Sequence, residues 1–310
     1  AAAQYAGYIL VGDENLLSGG DVAGEGLYTL PEIAEPTLEA AAAPDMAEWQ
    51  RIDYGKKIRN YGLLRGASSL TAFTSLRSSI VGRFISMAGF GFDESTTVCP
   101  PDGGAALRAL LSVKAYYRLD DTPVPDGFVF DHDENGVAVY RNPNALPMGF
   151  LQTTCTGTYH QRMDSQTTPT VLLAAVTLDD DELAAYQPRM QTLDVGDIPD
   201  WQESVARLKQ NACDGFDAAA DGFIAHIDAK EAGILVFTIP FDKGFSAAID
   251  GRQADVIPCD VAFMGVWVEP GEHEIVFTYR TRALTLGAAL SALAAAALAV
   301  YVFICRRRGR

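Results

Sequence analysis

The chain has 310 residues, which is enough for two ordinary domains, each with its own hydrophobic core. Its formal net charge is -16, and so acidic a protein repels nucleic acids and other polyanions. We therefore expect no nucleic-acid partner. The five cysteines and four histidines show no CxxC motif and no zinc-ligand spacing, and we expect no cofactor bound by this chain.

Residues 1–48 are rich in Gly, Ala, Glu and Pro, which predicts an irregular approach segment. The opening AAAQYAGYILVG is apolar but lacks the pattern of a signal peptide, and it fits either the end of an upstream membrane helix or a buried strand. We therefore expect that the chain is a fragment of a longer protein, or that a signal was removed.

Residues 49–178 are predicted to form a mixed α/β extracytoplasmic domain. Four apolar residues recur at steps of four, four and three and so share one helical face: Leu76, Ile80, Phe84 and Met87. Residues 103–119 predict a short helix followed by a strand. A β-hairpin is predicted around Asn135 and Gly136, because Asn-Gly favours a two-residue turn between strands. Residues 171–178 fit either a strand or a helix.

Residues 179–282 are predicted to form a helix-then-β-sandwich domain. Acidic residues begin the segment 179–186, where the start of a helix favours them. Six short segments of strand composition follow between 222 and 279, separated by turn residues, which is typical of a small antiparallel sandwich. The sandwich leads directly into the last segment of the chain, so it is expected to stand close to a membrane.

Residues 283–304 carry no charge and are predicted to be a transmembrane helix of about 33 Å. Four arginines in the tail 305–310 predict a cytoplasmic C-terminus, with the bulk of the chain extracytoplasmic and the lipid bilayer as a partner. A buried hairpin helix of a soluble protein is the competing interpretation. The predicted class is α+β: a mixed α/β extracytoplasmic domain, a small antiparallel β-sandwich and one C-terminal transmembrane helix.

One candidate metal site lies in the predicted hairpin. Asp131, Asp133 and Asn135, followed by Gly136, match the first half of a calcium-binding loop, in which oxygen ligands alternate and a glycine permits the bend. The twelfth position of such a loop is Asn142 instead of a bidentate Glu, and the flanks are strand-like. A polar hairpin turn explains the same residues.

The remaining chemistry-bearing residues leave alternatives open. Four cysteines outside the predicted membrane segment allow three disulfide pairings, and sequence does not choose among them: Cys99, Cys155, Cys213 and Cys259. Cys305, at the inner membrane edge, is expected to be acylated or free. Trp267 fits either a sugar-stacking surface or the core. No nucleophile motif appears, so a tethered hydrolase has no sequence support.

Five separated segments resemble, in the same order, segments of the bacterial membrane protein YfhO family. They are NYGLLRGASSLTAFTSL (60–76), LLSVKAYYRL (110–119), VAVYRNPNALPMGFL (137–151), ILVFTIPFDKGFSAAIDGRQ (234–253) and AFMGVWVEPGEHEIVFTY (262–279). Phe241 and Phe245 stand where the family commonly has Tyr and Trp, and these departures keep the bulk of the side chains.

The resemblance implies a polytopic protein similar to GT-C glycosyltransferases, which take sugar from a polyprenyl-phosphate carrier outside the cytoplasm. The implied acceptor is a cell-envelope glycan such as teichoic acid, and the implied partners are upstream transmembrane helices of the same protein. The catalytic acid of that superfamily lies in an early loop that this chain does not contain, so no catalytic residue is carried over. Six substrate-facing candidates follow by analogy: Asn60, Arg65, Ser68, Ser69, Arg141 and Asn142. The alternative is a membrane-anchored carbohydrate-binding or adhesion module without catalysis.

Overall fold

The computed structural model describes residues 51–54, 68–73, 78–93, 97–101, 104–118, 121–134, 136–157, 163–194, 196–219, 221–281 and 284–308. Within them the helices α1 to α6 are Ser79–Met87, Ala105–Leu110, Thr168–Ala174, Asp180–Tyr186, Trp201–Lys209 and Leu284–Arg308. The strands β1 to β10 are Arg51–Tyr54, Ser68–Ser69, Ala72–Phe73, Gly91–Asp93, Thr97–Cys99, Val113–Arg118, Val129–Glu134, Val137–Arg141, Gly149–Gln152 and Thr154–Gly157. The strands β11 to β20 are Val176–Leu178, Gln191–Thr192, Gly215–Ala219, Gly222–Ala229, Gly233–Pro240, Phe245–Ile249, Arg252–Ala254, Ile257–Cys259, Phe263–Val268 and Gly271–Tyr279. The approach segment predicted at 1–48 lies outside the described residues.

The predicted α+β class is confirmed by this mixture of helices and mostly antiparallel sheets. The first large sheet has the order β2-β1-β6-β8-β7, in which β1 runs parallel to both of its neighbours. Glu134 pairs with Val137 across β7 and β8, which confirms the predicted hairpin, and Asn135 lies outside the described residues. Gly136 has φ +86°, a conformation that glycine adopts without steric cost. Residues 171–178 divide between the end of α3 and β11, so both alternatives hold for part of the segment.

Two sheets form the predicted sandwich, with the strand orders β13-β14-β20-β16-β17 and β18-β19-β15-β9. Its interior is dominated by phenylalanine rings, with Phe237 and Phe277 5.2 Å apart and Phe223 stacked on Phe277 at 4.6 Å. Strand β9 enters this sandwich from the segment that precedes residue 179 and pairs with β15. The predicted domain boundaries stay a prediction.

The packing of strand β15 on both faces explains why its sequence, GILVFTIP, is a continuous apolar run. Successive side chains of a strand point to opposite faces of the sheet. Leu235 and Phe237 accordingly lie in the sandwich core, whereas Ile234 and Val236 pack into a second core with helices α2, α3 and α5. Because both faces are covered, the strand lacks the polar alternation of a half-exposed strand.

Buried charged side chains join the first sheet to the sandwich. The Arg51 guanidinium donates hydrogen bonds to the Thr238 hydroxyl at 2.8 Å, the Thr238 carbonyl at 2.7 Å and the Leu111 carbonyl at 2.8 Å. Asp53 is fully buried on the same strand and accepts from Arg108 Nε at 2.8 Å. These charges are paired within the fold, as burial requires.

Helix α6 is long and apolar enough to cross a membrane. Its candidate span, Gly287–Arg308, has a mean hydropathy of 2.3, and none of it is buried against the described protein. The helix continues through Arg306–Arg308 instead of ending at Ile304, and its 25 residues give a length of about 37 Å. At most about 18 Å of chain separates Tyr279, the end of β20, from Leu284. We call this end of the sandwich the helix end and the opposite one the far end.

Candidate functional site

The predicted substrate-facing residues do not meet in one site within the described part of the chain. Ser68 and Ser69 form β2 and are half-buried, whereas Arg141 ends β8 and is exposed. Two strands, β1 and β6, lie between β2 and β8, which places them about 14 Å apart at ordinary strand spacing. Asn60 and Arg65 lie outside the described residues, so a role for these positions stays a prediction.

Asn142 is buried, and its amide is used by the fold. Its Nδ2 donates to the Val113 carbonyl at 2.9 Å, and its Oδ1 accepts from the Asn144 backbone N–H at 3.0 Å. Asparagine side chains commonly fix turns in this way. The residue therefore holds the loop after β8 against β6.

Two of the three calcium candidates, Asp131 and Asp133, lie on the exposed strand β7, and the third, Asn135, lies outside the described residues. Asp131 Oδ2 is 2.9 Å from His132 Nδ1, and its Oδ1 is 3.7 Å from Arg141 Nε. A cation in that position competes with a metal for the carboxylate. Among the described residues, which exclude Asn135, no group of three His, Cys, Asp or Glu side chains is placed to hold a metal ion. The calcium site stays a prediction.

All five cysteines are described, and Cys155, Cys213, Cys259 and Cys305 are free thiols. The four that precede α6 are buried, and Cys305 is exposed. Burial raises the pKa of Cys213 to about 12 and also raises the pKa of Cys155 and Cys259. Because the thiolate is the reactive form, these buried thiols are poor nucleophiles.

Trp267 is half-buried, and its ring is covered by the protein's own side chains. The Arg189 guanidinium carbon lies 3.8 Å from the ring centroid, and the Tyr186 ring is stacked at 5.8 Å. The indole N–H and Arg189 Nη2 both donate to Glu269 Oε1, at 2.8 and 3.0 Å. A sugar that stacked on the Arg189 side of this ring would first have to displace the guanidinium.

The far end of the sandwich is closed by a cluster that we call the far-end clasp: Asp250, Glu269 and His273. His273 Nδ1 lies 2.7 Å from Asp250 Oδ2, and its Nε2 lies 3.0 Å from the Glu269 carbonyl. Asp250 Oδ1 accepts from the Glu274 backbone N–H at 3.0 Å. The hydrogen bond from His273, followed by that from Glu274, lowers the pKa of Asp250. The clasp joins the β16–β17 hairpin to the β19–β20 hairpin, and these polar groups of the clasp bond to one another or to neighbouring backbone groups.

The loop 240–245 at the helix end is fixed by its backbone. Asp242 Oδ1 accepts from the Gly244 N–H at 2.7 Å, and the Gly244 carbonyl accepts from the Arg280 N–H at 3.0 Å. A Cβ on Gly244 would lie 2.6 Å from the Arg280 carbonyl oxygen, so only glycine fits without a shift of the backbone. The Phe241 N–H donates to the Ala262 carbonyl at 2.8 Å, which fastens the loop to the other sheet.

Two cations at the helix end, Lys243 and Arg280, are exposed, and no carboxylate of the described residues pairs with either side chain. Several other cations do pair with a carboxylate: Arg83 with Asp179, Arg118 with Asp121, Arg141 with Asp131, Arg189 with Glu269, and Lys230 with Asp228. Arg252 at the far end is also exposed without a carboxylate partner among the described residues, but Lys243 and Arg280 differ from it because the hydrogen bond from the Arg280 N–H to the Gly244 carbonyl places them side by side. In a chain with so many acids, two unpaired cations next to the membrane helix mark the candidate functional site.

The same end contains an unusual buried acid, Asp260. The side chain is fully buried, its Oδ1 accepts from the Thr177 N–H at 2.8 Å, and its Oδ2 has no hydrogen-bond partner among the described residues. Burial raises its pKa to about 7. Asp260 and Val261 have φ +49° and +68°, in the left-handed region that side chains with a Cβ rarely adopt.

The region that contains the sandwich matches a known protein family. A family model described as bacterial membrane protein YfhO matches residues 164–291. This region belongs to the YfhO family. The YfhO segment runs from α3 into α6, so it contains both ends of the sandwich and two of the five resembling segments, 234–253 and 262–279. No curated protein and no solved structure gives a significant match.

The family and helix α6 together make the chain a membrane protein, as predicted. The sequence did not single out Lys243, Arg280 or Asp260. Lys243 lies in a resembling segment, which was a usable signal, but its lack of a partner depends on residues that are distant along the chain. No sequence signal distinguishes Asp260 from the other acids.

Proposed function

We propose that this chain is the envelope-side part of a membrane glycosyltransferase-like protein. In that protein, helix α6 holds the β-sandwich at the bilayer surface, beside the site of sugar transfer. One observation carries the proposal. The sandwich of the YfhO segment leads into the membrane helix within five residues, and two unpaired cations, Lys243 and Arg280, lie at that end of it. A rigid module at this place suits the positioning of a lipid-linked substrate, because fixed geometry lowers the cost of bringing two reactants together.

The proposed donor is a sugar on a polyprenyl phosphate, and the proposed acceptor is a cell-envelope polymer such as teichoic acid. In this scheme, the described residues of this chain bind and orient the substrates, and the catalytic acid belongs to other segments of the protein. The alternative is an adhesion module that stacks sugars on aromatic rings. The ring face of Trp267 that Arg189 covers gives this alternative no support.

The orientation has a sharp test in the native thiols. Because Cys305 is the exposed cysteine and the other four are buried, a membrane-impermeant maleimide reports the side on which the tail lies. We expect no labelling of Cys305 in intact cells and full labelling after permeabilisation. The control variant Gln253→Cys places a thiol on exposed strand β17 and should label in intact cells. The reverse pattern would overturn the proposed orientation.

The activity is tested in cells that carry the complete gene. Deletion of the gene should remove one sugar substituent from an envelope polymer, and the wild-type gene should restore it. Replacement of α6 by an unrelated apolar helix should preserve transfer if the helix acts as a seat, whereas removal of α6 should abolish it. An envelope glycan composition that is unchanged by gene deletion would contradict the proposal and favour a non-catalytic module.

A further inference from the structure

We infer that the helix end of the sandwich binds the phosphate group of an anionic membrane lipid through Lys243 and Arg280. The inference rests on the proposed function only for its setting, a sandwich seated on a bilayer. It adds a ligand class and two binding residues at that site.

The backbone holds these two cations in adjacent positions. The Arg280 N–H donates to the carbonyl of Gly244, the residue after Lys243, at 3.0 Å. Arg280 lies four residues before the start of α6, so its side chain is within reach of the lipid headgroup layer. Lysine supplies a point charge and arginine supplies a planar fork, and both are ordinary phosphate ligands.

The two carboxylates nearest to the site in the described chain do not pair with Lys243 or Arg280. Asp242, next to Lys243, already accepts the Gly244 N–H. Asp221 is exposed at the same end, where its carbonyl accepts the Tyr279 N–H, and its side chain pairs with neither cation. The two positive charges are thus left for a ligand from outside the described chain.

Aromatic side chains at the same end fit a membrane interface. Phe241 and Tyr279 are half-buried there, and Tyr279 packs on Phe245 with ring centroids 4.9 Å apart. Aromatic residues are enriched at the level of the headgroups, where one side of the ring is apolar and the other is wet. The helix end therefore combines apolar contact with phosphate-binding charge.

The test uses the full chain in phosphatidylcholine vesicles that contain phosphatidylglycerol with a photoreactive headgroup. After illumination, labelled peptides are quantified by mass spectrometry, and the arginines of the tail serve as an internal standard. We expect label on the loop 240–245 and at Arg280. Each cation near an anionic surface contributes about fivefold to the binding constant, so Lys243→Gln with Arg280→Gln should lower helix-end label about 25-fold and leave tail label unchanged.

A matched control changes the same charge at the far end. Lys230→Gln with Arg252→Gln should leave the helix-end label unchanged, and the charge-conserving pair Lys243→Arg with Arg280→Lys should retain it. Helix-end label that persists in the double glutamine variant, or that is absent from the wild type while the tail is labelled, would overturn the inference.

Competition separates two sources of the phosphate. If unlabelled polyprenyl phosphate displaces the helix-end label at a lower dose than unlabelled phosphatidylglycerol, the ligand is the sugar carrier. If both displace it equally, the ligand is any anionic lipid, and the inference holds in that form. The readout does not measure sugar transfer, so failure of the glycosyltransferase proposal would leave it intact, and the reverse is also true.

Discussion

The two ends of the sandwich treat their polar groups in opposite ways. At the far end, Asp250 and His273 bind each other and neighbouring backbone groups. At the helix end, Lys243 and Arg280 have no carboxylate partner in the described chain, and Asp260 has a buried oxygen without a hydrogen bond. The acids of the far end are thus used by the fold, although Arg252 there is exposed without a carboxylate partner, whereas the helix end has two adjacent unpaired cations and a buried acid with an unsatisfied oxygen.

The difference shows why family resemblance alone does not locate a site. The resembling segments 234–253 and 262–279 supply residues to both ends, including Lys243 and His273. The structure separates them by their partners: the far-end clasp stabilises turns, whereas the helix end keeps charge available. Polar groups that the fold leaves unsatisfied are the better guide to function.

The largest predicted effect tests whether the helix end is destabilised by its own buried acid. The folded Asp260 carboxyl keeps its proton up to about pH 7, whereas the unfolded chain releases it from about pH 4, so the unfolded state binds fewer protons between these values. Stability therefore falls as pH rises through this window, by up to about 4 kcal/mol at about 1.4 kcal/mol for each pH unit. Asp260→Asn should lack this fall, as measured by thermal melting in detergent across the window.

The variant is compared with Asp228→Asn, which removes an exposed carboxylate at the far end. That control should follow the pH dependence of the wild type, because its carboxylate is solvated and its pair with Lys230 is on the surface. Parallel curves for wild type and Asp260→Asn would show that the buried carboxyl does not titrate in this range.

The next effect in size concerns the glycines of the two ends. Gly244→Ala should destabilise the protein by about 3 kcal/mol, because the new Cβ would meet the Arg280 carbonyl oxygen and the backbone would have to move. Gly251→Ala at the far end meets open space but must hold φ +75°, which costs about 1 kcal/mol. Thermal midpoints of the two variants measure the difference, and equal losses would mean that the loop 240–245 is free to shift.

Much of the fold was predictable because its signals are local. The period of the apolar residues gave α1, the Asn-Gly turn gave the β7–β8 hairpin, and the uncharged run gave α6. The pairing of β9 with β15 was not predictable, because the two strands are far apart in sequence and no local pattern fixes which strands meet. The double-sided burial of β15 follows from that same long-range packing.

The candidate site was predictable only in its neighbourhood. Lys243 lies in a segment that resembles the YfhO family, but its freedom from an ion pair is a relation to every nearby carboxylate in space. Asn142, a predicted substrate-facing residue, shows the opposite case, since its amide is engaged by Val113 and Asn144. A residue type in a loop does not reveal whether its polar atoms are already used.

The smallest predicted effect tests the far-end clasp with His273→Ala. Loss of the imidazole removes the hydrogen bond that lowers the pKa of Asp250, and exposure limits the effect on stability because solvent and salt screen the pair. A carboxylate with a lowered folded pKa stabilises the fold above its unfolded pKa and loses that contribution as pH falls through the folded value. The variant should therefore melt slightly below the wild type at about pH 6, and the two should converge in strong acid. Helix-end lipid labelling should be unchanged in His273→Ala; a decrease as large as that of the Lys243 and Arg280 double variant would mean that the two ends are coupled through β20.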